Sequence, residues 1–229
     1  GGHLLFHSCQ INSQPGADWV SQEVAKLQGR KNVTWLQNTT ATGYYDHNMV
    51  IAVEHEPAES WLKERLWHIR AKKVVIATGA VERPLIFPGN DRPGVMLADA
   101  AARYIRRFAA VPGKRAVIYT NNSTTYAHLE TFKAAGIEIQ GILDLRESLS
   151  ETELGLARKS KVPVLVNARI RGVHGRAGVK GVTYQDESGI KTLSCDLVCH
   201  SGGWNPLIHL YSHAGGRSRF CLLYTSPSP

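Results

Sequence analysis

The clearest candidates for ligand contact are two apolar segments that each end in glycine. The first covers residues 74–80, reads VVIATGA and ends in Thr78, Gly79 and Ala80. Because glycine carries no Cβ, a ligand can approach the backbone closely there, and ligands in open α/β sheets lie at the carboxyl ends of strands. On spacing alone, a plain buried strand followed by a turn explains this segment equally well.

The second segment covers residues 196–206 and reads DLVCHSGGWNP. Gly202 and Gly203 follow its strand, and Trp204 and Asn205 come next. Paired glycines permit a tight turn beneath a phosphate or sugar, and the neighbouring backbone N–H groups can donate to it. One Gly-Gly pair is a weak signal, but two glycine-ended strands in one predicted sheet form a stronger one.

The turn after a third strand departs from the nucleotide-binding pattern. Arg115–Tyr119 runs into Thr120, Asn121, Asn122 and Ser123, where a glycine-rich G-x-G-x-x-G loop is expected in a nucleotide-binding unit. Asparagine can adopt turn geometry, but its side chain denies the close approach that glycine allows. We therefore predict that this unit is structural and binds no dinucleotide.

No constellation of residues indicates catalysis or a metal. The ten histidines are scattered, and no G-x-S-x-G nucleophile motif is present. Cys9, Cys195, Cys199 and Cys221 share no C-x-x-C spacing, which favours reduced thiols in a cytoplasmic protein over a disulfide or metal framework. We predict no catalytic residue and no metal ligand.

The composition narrows the class of protein. The 229 residues are 43% hydrophobic and 20% charged, as in ordinary globular proteins, and no apolar run is long enough to span a membrane. The net charge is +8, but the basic residues are scattered apart from clusters at 70–73 and 103–107. This pattern favours solvated faces or a surface for an acidic partner subunit over nucleic acid. The opening Gly1-Gly2-His3, without Met or a signal peptide, is interpreted as an internal start.

Strands and helices alternate along most of the chain. Periodicity predicts helices near 15–28, 96–108, 124–135 and 151–159. Strands are predicted near 32–37, 42–56, 62–70, 72–77, 115–119, 137–143, 162–167, 181–184 and 196–199. This alternation predicts an α/β fold with a doubly wound parallel sheet and a β-rich insertion over 33–70.

This interpretation divides the chain into four regions. Residues 1–112 are predicted as a partial dinucleotide-binding domain that lacks its first βαβ unit, and 113–195 as an inserted second α/β lobe. Residues 196–216 are predicted to return to the first domain, so that Val74–Ala77 and Asp196–Cys199 share one sheet. Residues 217–229, which read RSRFCLLYTSPSP, are interpreted as a ragged or non-native tail.

Several longer motifs carry a resemblance to a known family. Residues 76–98 read IATGAVERPLIFPGNDRPGVMLA, and further motifs are GYYDHN at 43–48, ERLWHIRAK at 64–72, TNN at 120–122 and SGGWNP at 201–206. Together they resemble the alpha subunit of heterotetrameric sarcosine oxidase, and more loosely the related opine and amine dehydrogenase subunits. The resemblance covers residues 1 to about 213.

The resemblance implies a fold of the FAD/NAD(P)-binding type and a role in the oxidative demethylation of sarcosine to glycine. The one-carbon unit leaves as formaldehyde or passes to tetrahydrofolate, and oxygen is reduced to hydrogen peroxide. In the family the alpha subunit holds NAD and a C-terminal folate domain, the beta subunit carries FAD, and FMN lies at their junction. The gamma and delta subunits complete the complex, and neither nucleic acid nor membrane is implied as a partner.

The same resemblance implies which residues contact the dinucleotide. These are Gly1, Gly2, Thr78, Gly79, Ala80, Gly202, Gly203, Trp204 and Asn205. The family's glycine-rich loop and its acidic ribose contact would precede residue 1, so this segment alone is expected to be inactive. Two alternatives stay open: a relative that acts on opines or other secondary amines, and a scaffold domain with a vestigial dinucleotide site.

Overall fold

The structure is a computed structural model that describes residues 2–5, 9–56, 60–220 and 225–227. Its α-helices are α1 (Gly16–Gln28), α2 (Ala98–Phe108), α3 (Leu129–Ala134), α4 (Glu151–Lys159) and α5 (His209–His213). Short 3-10 helices cover Gly2–Leu5, Asp46–Asn48 and Thr124–His128.

The strands are numbered in chain order. They are β1 (Gln10–Ile11), β2 (Gln14–Pro15), β3 (Thr39–Tyr45), β4 (Met49–His55), β5 (Glu64–Arg70), β6 (Ala80–Glu82), β7 (Val95–Leu97), β8 (Arg115–Thr120), β9 (Glu138–Asp144), β10 (Val164–Leu165), β11 (Arg169–His174), β12 (Gly181–Asp186), β13 (Gly189–Ser194), β14 (Leu197–Ser201), β15 (Trp204–Pro206), β16 (Ser218–Phe220) and β17 (Thr225–Pro227).

A five-stranded parallel sheet organises one part of the chain. Its order is β10-β9-β8-β14-β7. Every residue of β14 is buried, as is every residue of β8 after Arg115. Such continuous burial is expected of parallel strands whose two faces are both covered. Because β9 follows β8 on one side and β14 lies on its other side, the topological switch point falls between β8 and β14.

Two hydrophobic cores lie on opposite faces of this sheet. Ala116 and Ile118 of β8 belong to the core that includes α2, α3 and Phe132. Val117 and Tyr119, which alternate with them, belong to the other core. That second core is covered by an antiparallel sheet of β11, β12 and β13, of which β11 and β13 escaped the sequence prediction.

A second sheet is formed by β3, β4 and β5, and it confirms the predicted β-rich segment. The turn between β3 and β4 falls at Asp46–Asn48, where the sequence predicted it. The Tyr44 hydroxyl donates to Asn48 Oδ1 at 2.6 Å, and Asn48 Nδ2 donates to the Lys72 carbonyl at 3.2 Å. Within the GYYDHN motif, Tyr44 and Asn48 thus fix the turn.

The chain divides into two compact units. The first contains residues 1–20 and 82–204, and the second contains residues 21–81 and 205–229. The predicted regions 1–112, 113–195, 196–216 and 217–229 stay predictions. Within the described ranges, none of the helices is long and apolar enough to cross a membrane.

Two predicted strands are corrected by the structure. Residues 32–37 form no strand, and β3 begins at Thr39 instead. Residues 73–79 also form no strand within the described chain, and Val75 is 90% exposed. The prediction that Val74–Ala77 shares a sheet with Asp196–Cys199 is therefore wrong, because β14 pairs with β8 and β7 instead. An apolar run adopts strand geometry only where a neighbouring backbone supplies hydrogen bonds.

The helix predicted over 124–135 is also corrected in part. It begins as the 3-10 helix Thr124–His128 and becomes α-helical only at Leu129. The other predicted helices are confirmed within about two residues at each end, which is the usual uncertainty of helix limits.

Replacing Phe132 by Ala tests the core on the α2 side of the sheet. Phe132 is fully buried, so Phe132→Ala is expected to lower the free energy of unfolding by about 3–5 kcal/mol. The matched control Phe108→Ala removes a ring that is 64% exposed and should change it by less than about 0.5 kcal/mol. Urea unfolding of both variants measures the difference, and equal losses would contradict the assignment of the core.

Candidate functional site

The first predicted contact segment lies on an open backbone turn. The Thr78 hydroxyl donates to the Leu207 carbonyl at 2.7 Å, and the Leu207 N–H donates to the Gly79 carbonyl at 2.9 Å. Thr78, Gly79 and Ala80 are exposed. Gly79 has φ +76°, a left-handed conformation that favours glycine, and a Cβ added there would meet nothing within 4 Å. The turn is fixed, yet the space above it is free for a ligand.

The second predicted segment is hydrogen-bonded to the connector that follows β6. The Gly202 N–H donates to the Arg83 carbonyl at 2.7 Å, and the Arg83 N–H donates to the Gly203 carbonyl at 2.8 Å. Arg83 Nε donates to the Gly202 carbonyl at 3.0 Å. A Cβ on Gly202 would lie 3.0 Å from the carbonyl oxygens of both Arg83 and Pro84. Gly202 therefore admits a neighbouring backbone, and its N–H is already used inside the protein.

The remaining predicted contacts are placed separately. Trp204 Nε1 donates to Thr124 Oγ1 at 3.1 Å, and Asn205 is an exposed residue of β15. Gly2 is an exposed residue of the 3-10 helix Gly2–Leu5. Gly1 lies outside the described residues.

Asn122 bridges the ends of β8 and β14 at the switch point. Its Nδ2 donates to the Ser201 carbonyl at 3.2 Å and to Ser201 Oγ at 3.0 Å. Its Oδ1 accepts the N–H of Thr124 at 3.1 Å, at the start of the helical segment. In a dinucleotide-binding unit, glycine and free N–H groups at this point meet the pyrophosphate. Here a side chain occupies the position and one of those N–H groups is capped, which agrees with the predicted structural role.

The acidic residue at the end of β9 was missed by the sequence analysis. Asp144 follows Thr120 by 24 positions, close to the spacing at which a carboxylate binds the ribose in nucleotide folds. That spacing was the available signal. Asp144 is fully buried, however, and accepts hydrogen bonds from the Tyr126 hydroxyl at 2.8 Å and from Arg146 Nη2 at 2.8 Å. Its carboxylate is satisfied by the protein itself.

Arg146 extends this network to α4. Its Nη1 donates to Glu153 Oε1 at 2.7 Å, and Glu153 also accepts hydrogen bonds from Ser123 and Ser150. Burial raises the pKa of Glu153, but these hydrogen bonds outweigh it and hold the pKa at about 2. The carboxyl edge of β8 and β9 is therefore closed by an ionised network rather than left open for a ligand.

Glu82 is a second carboxylate that the sequence analysis missed. It is only 8% exposed, and its Oε2 accepts the N–H of Asp99 at 2.9 Å in the first turn of α2. Burial raises the pKa of Glu82 to about 7, while the Ser201 hydroxyl and the Asp99 N–H oppose that rise. A carboxyl group at a helix N-terminus meets the positive end of the helix dipole. Glu82 therefore anchors the start of the connector to α2.

His200 holds the same connector from β14. Its Nδ1 accepts the Leu85 N–H at 3.0 Å, so the neutral ring carries its proton on Nε2. The Phe87 ring packs edge-on against it, with 5.3 Å between centroids. Burial lowers the pKa of His200 to about 4. Residues 82–85 are thus fixed by two buried titratable groups whose pKa values shift in opposite directions.

Acid–base, nucleophilic and metal chemistry find little support in the described part of the chain. No group of three or more His, Cys, Asp and Glu residues there is placed to hold a metal ion, although His209 and His213 lie four residues apart on α5. Cys9, Cys195 and Cys199 are free thiols, and Cys221 lies outside the described residues. Burial raises the pKa of Cys195 to about 11, which keeps it protonated and unreactive.

Comparison with known sequences finds relatives along most of the chain. It is 36% identical to the alpha subunit of sarcosine oxidase from Rhizobium meliloti (strain 1021), over 95% of this chain and 22% of that protein. It is 33% identical to its counterpart from Corynebacterium sp. (strain P-1), over 91% of this chain and 23% of that protein. The A-type subunit of opine oxidase from Agrobacterium tumefaciens (strain Ach5) is 34% identical, over 57% of this chain and 26% of that protein. No protein-family model matches the chain.

Solved structures share the fold. L-proline dehydrogenase from P. horikoshii aligns with a TM-score of 0.71 at 23% identity, over 100% of this chain and 40% of that one. A NAD-dependent persulfide reductase from A. fulgidus aligns with a TM-score of 0.61 at 20% identity, over 85% of this chain and 36% of that one. The predicted fold class, an α/β fold of the FAD/NAD(P)-binding type, is confirmed.

The opposite pKa shifts of Glu82 and His200 predict opposite pH dependences. Glu82 has a folded pKa of about 7, above its ordinary 4.5, so its contribution to stability is complete below pH 4.5 and is lost as pH rises through 7. His200 has a folded pKa of about 4, below its ordinary 6.5. Its contribution is complete above pH 6.5 and is lost as pH falls through 4. Between these limits the two effects oppose each other.

Single variants separate the two effects. Relative to the unchanged chain, Glu82→Gln should gain stability as pH rises from 4.5 to 7, by up to roughly 3 kcal/mol. His200→Asn, which keeps an acceptor for the Leu85 N–H, should gain a similar amount as pH falls from 6.5 to 4. Denaturant unfolding at several pH values measures both. A stability difference that stays constant with pH for either variant would contradict the assigned shift.

Proposed function

The chain is a homologue of part of the alpha subunit of sarcosine oxidase, and on this premise we propose that it forms the NAD-binding part of an oxidoreductase subunit. The chain spans about a fifth of the length of these relatives. Activity, substrate and partners therefore belong to the proposal for the whole protein. The residues of this segment bind and position, and the redox chemistry is assigned to cofactors and subunits elsewhere in the complex.

The observation that carries the NAD site is the open turn at Gly79. An apolar run leads into Thr78-Gly79-Ala80, and these residues are exposed after it. Gly79 holds a left-handed φ of +76° with nothing within 4 Å of the position of a Cβ. Backbone of this kind can meet a flat or anionic ligand without a side chain intervening. We propose Thr78, Gly79 and Ala80 as its main contacts in this segment.

The other contacts in the proposal have different weights. Gly203 also has a left-handed φ, +95°, and open space at its Cβ position, so it and the following Trp204 and Asn205 suit a ligand-facing turn. Gly202 contributes by letting the Arg83–Pro84 backbone pass. Gly1 and Gly2 complete the proposed set.

The proposed reaction of the complex is the oxidative demethylation of sarcosine to glycine. FAD and FMN, held with the beta subunit, supply the redox chemistry when bound, and tetrahydrofolate in another domain takes up the one-carbon unit that otherwise leaves as formaldehyde. Gamma and delta subunits and a cytoplasmic location belong to the same proposal. The support for other subunits is that the relatives are themselves named as subunits.

Two alternatives remain testable. The similarity to an opine oxidase subunit supports a relative that acts on opines or other secondary amines. A scaffold with a vestigial site is supported by the internal use of the Gly202 N–H and of Asp144. Copurification of NAD with the full-length protein distinguishes the scaffold from the binding domain, and substrate oxidation by the complex distinguishes sarcosine from opines.

The segment by itself is expected to bind NAD poorly. In this type of fold the pyrophosphate rests on a glycine-rich loop and the N-terminus of the following helix. The described residues contain no such loop with free N–H groups, since the corresponding turn after β8 is filled by Asn122. Calorimetry should find no binding to this segment at micromolar concentrations and clear binding to the full-length subunit. Micromolar binding by the segment alone would show that the site is misplaced.

Gly79→Val in the full-length subunit tests the site directly. A branched side chain would fill the open space above the turn and should weaken NAD binding about tenfold or more. Gly136→Val is the matched control, because Gly136 has a similar φ of +78°, also with nothing within 4 Å, but precedes the amino end of β9. Equal effects of both variants would assign the loss to backbone strain and not to the site.

The closed edge above β8 predicts the stoichiometry of dinucleotide binding. Asn122 and the Asp144–Arg146 pair occupy the places of the phosphate loop and the ribose contact. One dinucleotide should therefore be released per full-length alpha chain after denaturation, apart from flavin held at the junction with the beta subunit. Chromatographic recovery of two adenine dinucleotides from the isolated alpha chain would overturn the structural role of this lobe.

A further inference from the structure

Helix α2 exposes an aromatic surface on the side opposite to its core contacts. Tyr104 is 50% exposed, Phe108 64% and Val111 50%. On the inner side of the same helix, Ala98, Ala101 and Ala102 are fully buried. The α2 patch is defined here as Tyr104, Arg107, Phe108 and Val111. Large apolar side chains grouped on a surface mark interaction sites, whereas single scattered ones do not.

The members of the α2 patch are arranged against one another. The Tyr104 and Phe108 rings lie 6.0 Å apart between centroids, one helical turn from each other. The guanidinium carbon of Arg107 lies 5.7 Å from the centroid of the Phe108 ring. Aromatic residues and arginine are the types enriched at the centres of protein interfaces. Because the rings and the guanidinium already support one another, little side-chain freedom is lost on binding.

The charge of the patch indicates the chemistry of its partner. Within the described chain, no carboxylate lies within salt-bridge distance of Arg107. Arg103, one turn earlier, is half-exposed although it pairs with Asp99 at 3.3 Å. A guanidinium that packs on a ring keeps its N–H edges available to a carboxylate. The surface therefore combines apolar contact with unneutralised positive charge.

We propose that the α2 patch docks an acidic segment of a different polypeptide in the complex, with an apolar side chain seated between Tyr104 and Phe108. The proposal rests on the proposed function, which makes the chain part of a multi-subunit oxidoreductase. A second copy of the chain fits poorly, because a two-fold contact sets each patch against itself and brings Arg107 towards its own copy. Like charges in such a contact oppose association, and opposite charges guide it.

Site-directed photo-crosslinking tests the proposal in the intact complex. A benzophenone-bearing phenylalanine analogue is placed at position 108 of the full-length subunit, which is produced together with the other polypeptides of its complex. The matched control carries the analogue at position 190, where Ile190 is 70% exposed outside the patch. Mass spectrometry should identify an Asp- or Glu-containing peptide of a different polypeptide crosslinked to position 108, and not to position 190.

Charge reversal supplies a second measurement. Arg107→Glu should weaken association of the subunits about tenfold at low salt, and the difference should shrink at about 0.5 M salt. Arg107→Gln should have a smaller effect of the same sign, and circular dichroism confirms that both variants keep their helix content. Arg176→Glu, which reverses an exposed charge elsewhere, should leave association unchanged.

Each remaining result counts against the proposal. A crosslink from position 108 to the same chain, to a second alpha chain or to no peptide in an assembled complex would overturn the docking surface alone. Equal weakening by the reversals at positions 107 and 176 would reduce the effect to net charge and would also overturn it. A full-length protein that assembles with no other polypeptide would instead refute the proposed function as a subunit.

Discussion

The pairing of β14 with β8 is the interaction on which the first compact unit depends. It joins residues such as Leu197 and Ala116, which lie 81 positions apart, in the middle of the parallel sheet. The alternating side chains of β8 then face two separate cores, and every residue of β14 is buried between them. Because this closure also brings the ends of the two strands together, it creates the switch point at which Asn122 meets Ser201.

The edge of the sheet at this switch point is satisfied by the protein's own polar groups. Asp144 is bound by Tyr126 and Arg146, and Asn122 takes the place of a glycine-rich loop. Glu82 caps the start of α2, as an anionic ligand does at other helix N-termini. A buried polar group without a partner costs free energy, so a fold that places no ligand at such an edge must fill it with side chains.

Binding and redox chemistry are therefore separated in the proposed function. The open turn at Gly79 belongs to the compact unit that contains residues 21–81, whereas the filled edge belongs to the unit built on the parallel sheet. The outer face of α2 adds a third kind of surface, aromatic and positively charged. A segment with a ligand turn, a closed lobe and a docking face suits one part of a larger assembly, in agreement with relatives more than four times its length.

The sequence by itself determined the elements whose pattern is local. Helical spacing predicted α1, α2 and α4, apolar runs predicted β8 and β14, and Asn122 in place of glycine predicted a lobe without a nucleotide loop. Only the tertiary structure decided which strands are neighbours: Val74–Ala77 has the apolar pattern of a strand but pairs with none in the described chain, while β14 pairs with β8. It also decided that Glu82 is buried with a raised pKa and that the role of Gly202 is to admit the Arg83–Pro84 backbone. Periodicity records which face of an element is apolar, but strand partners, burial and pKa depend on residues that are distant in sequence and meet only on folding.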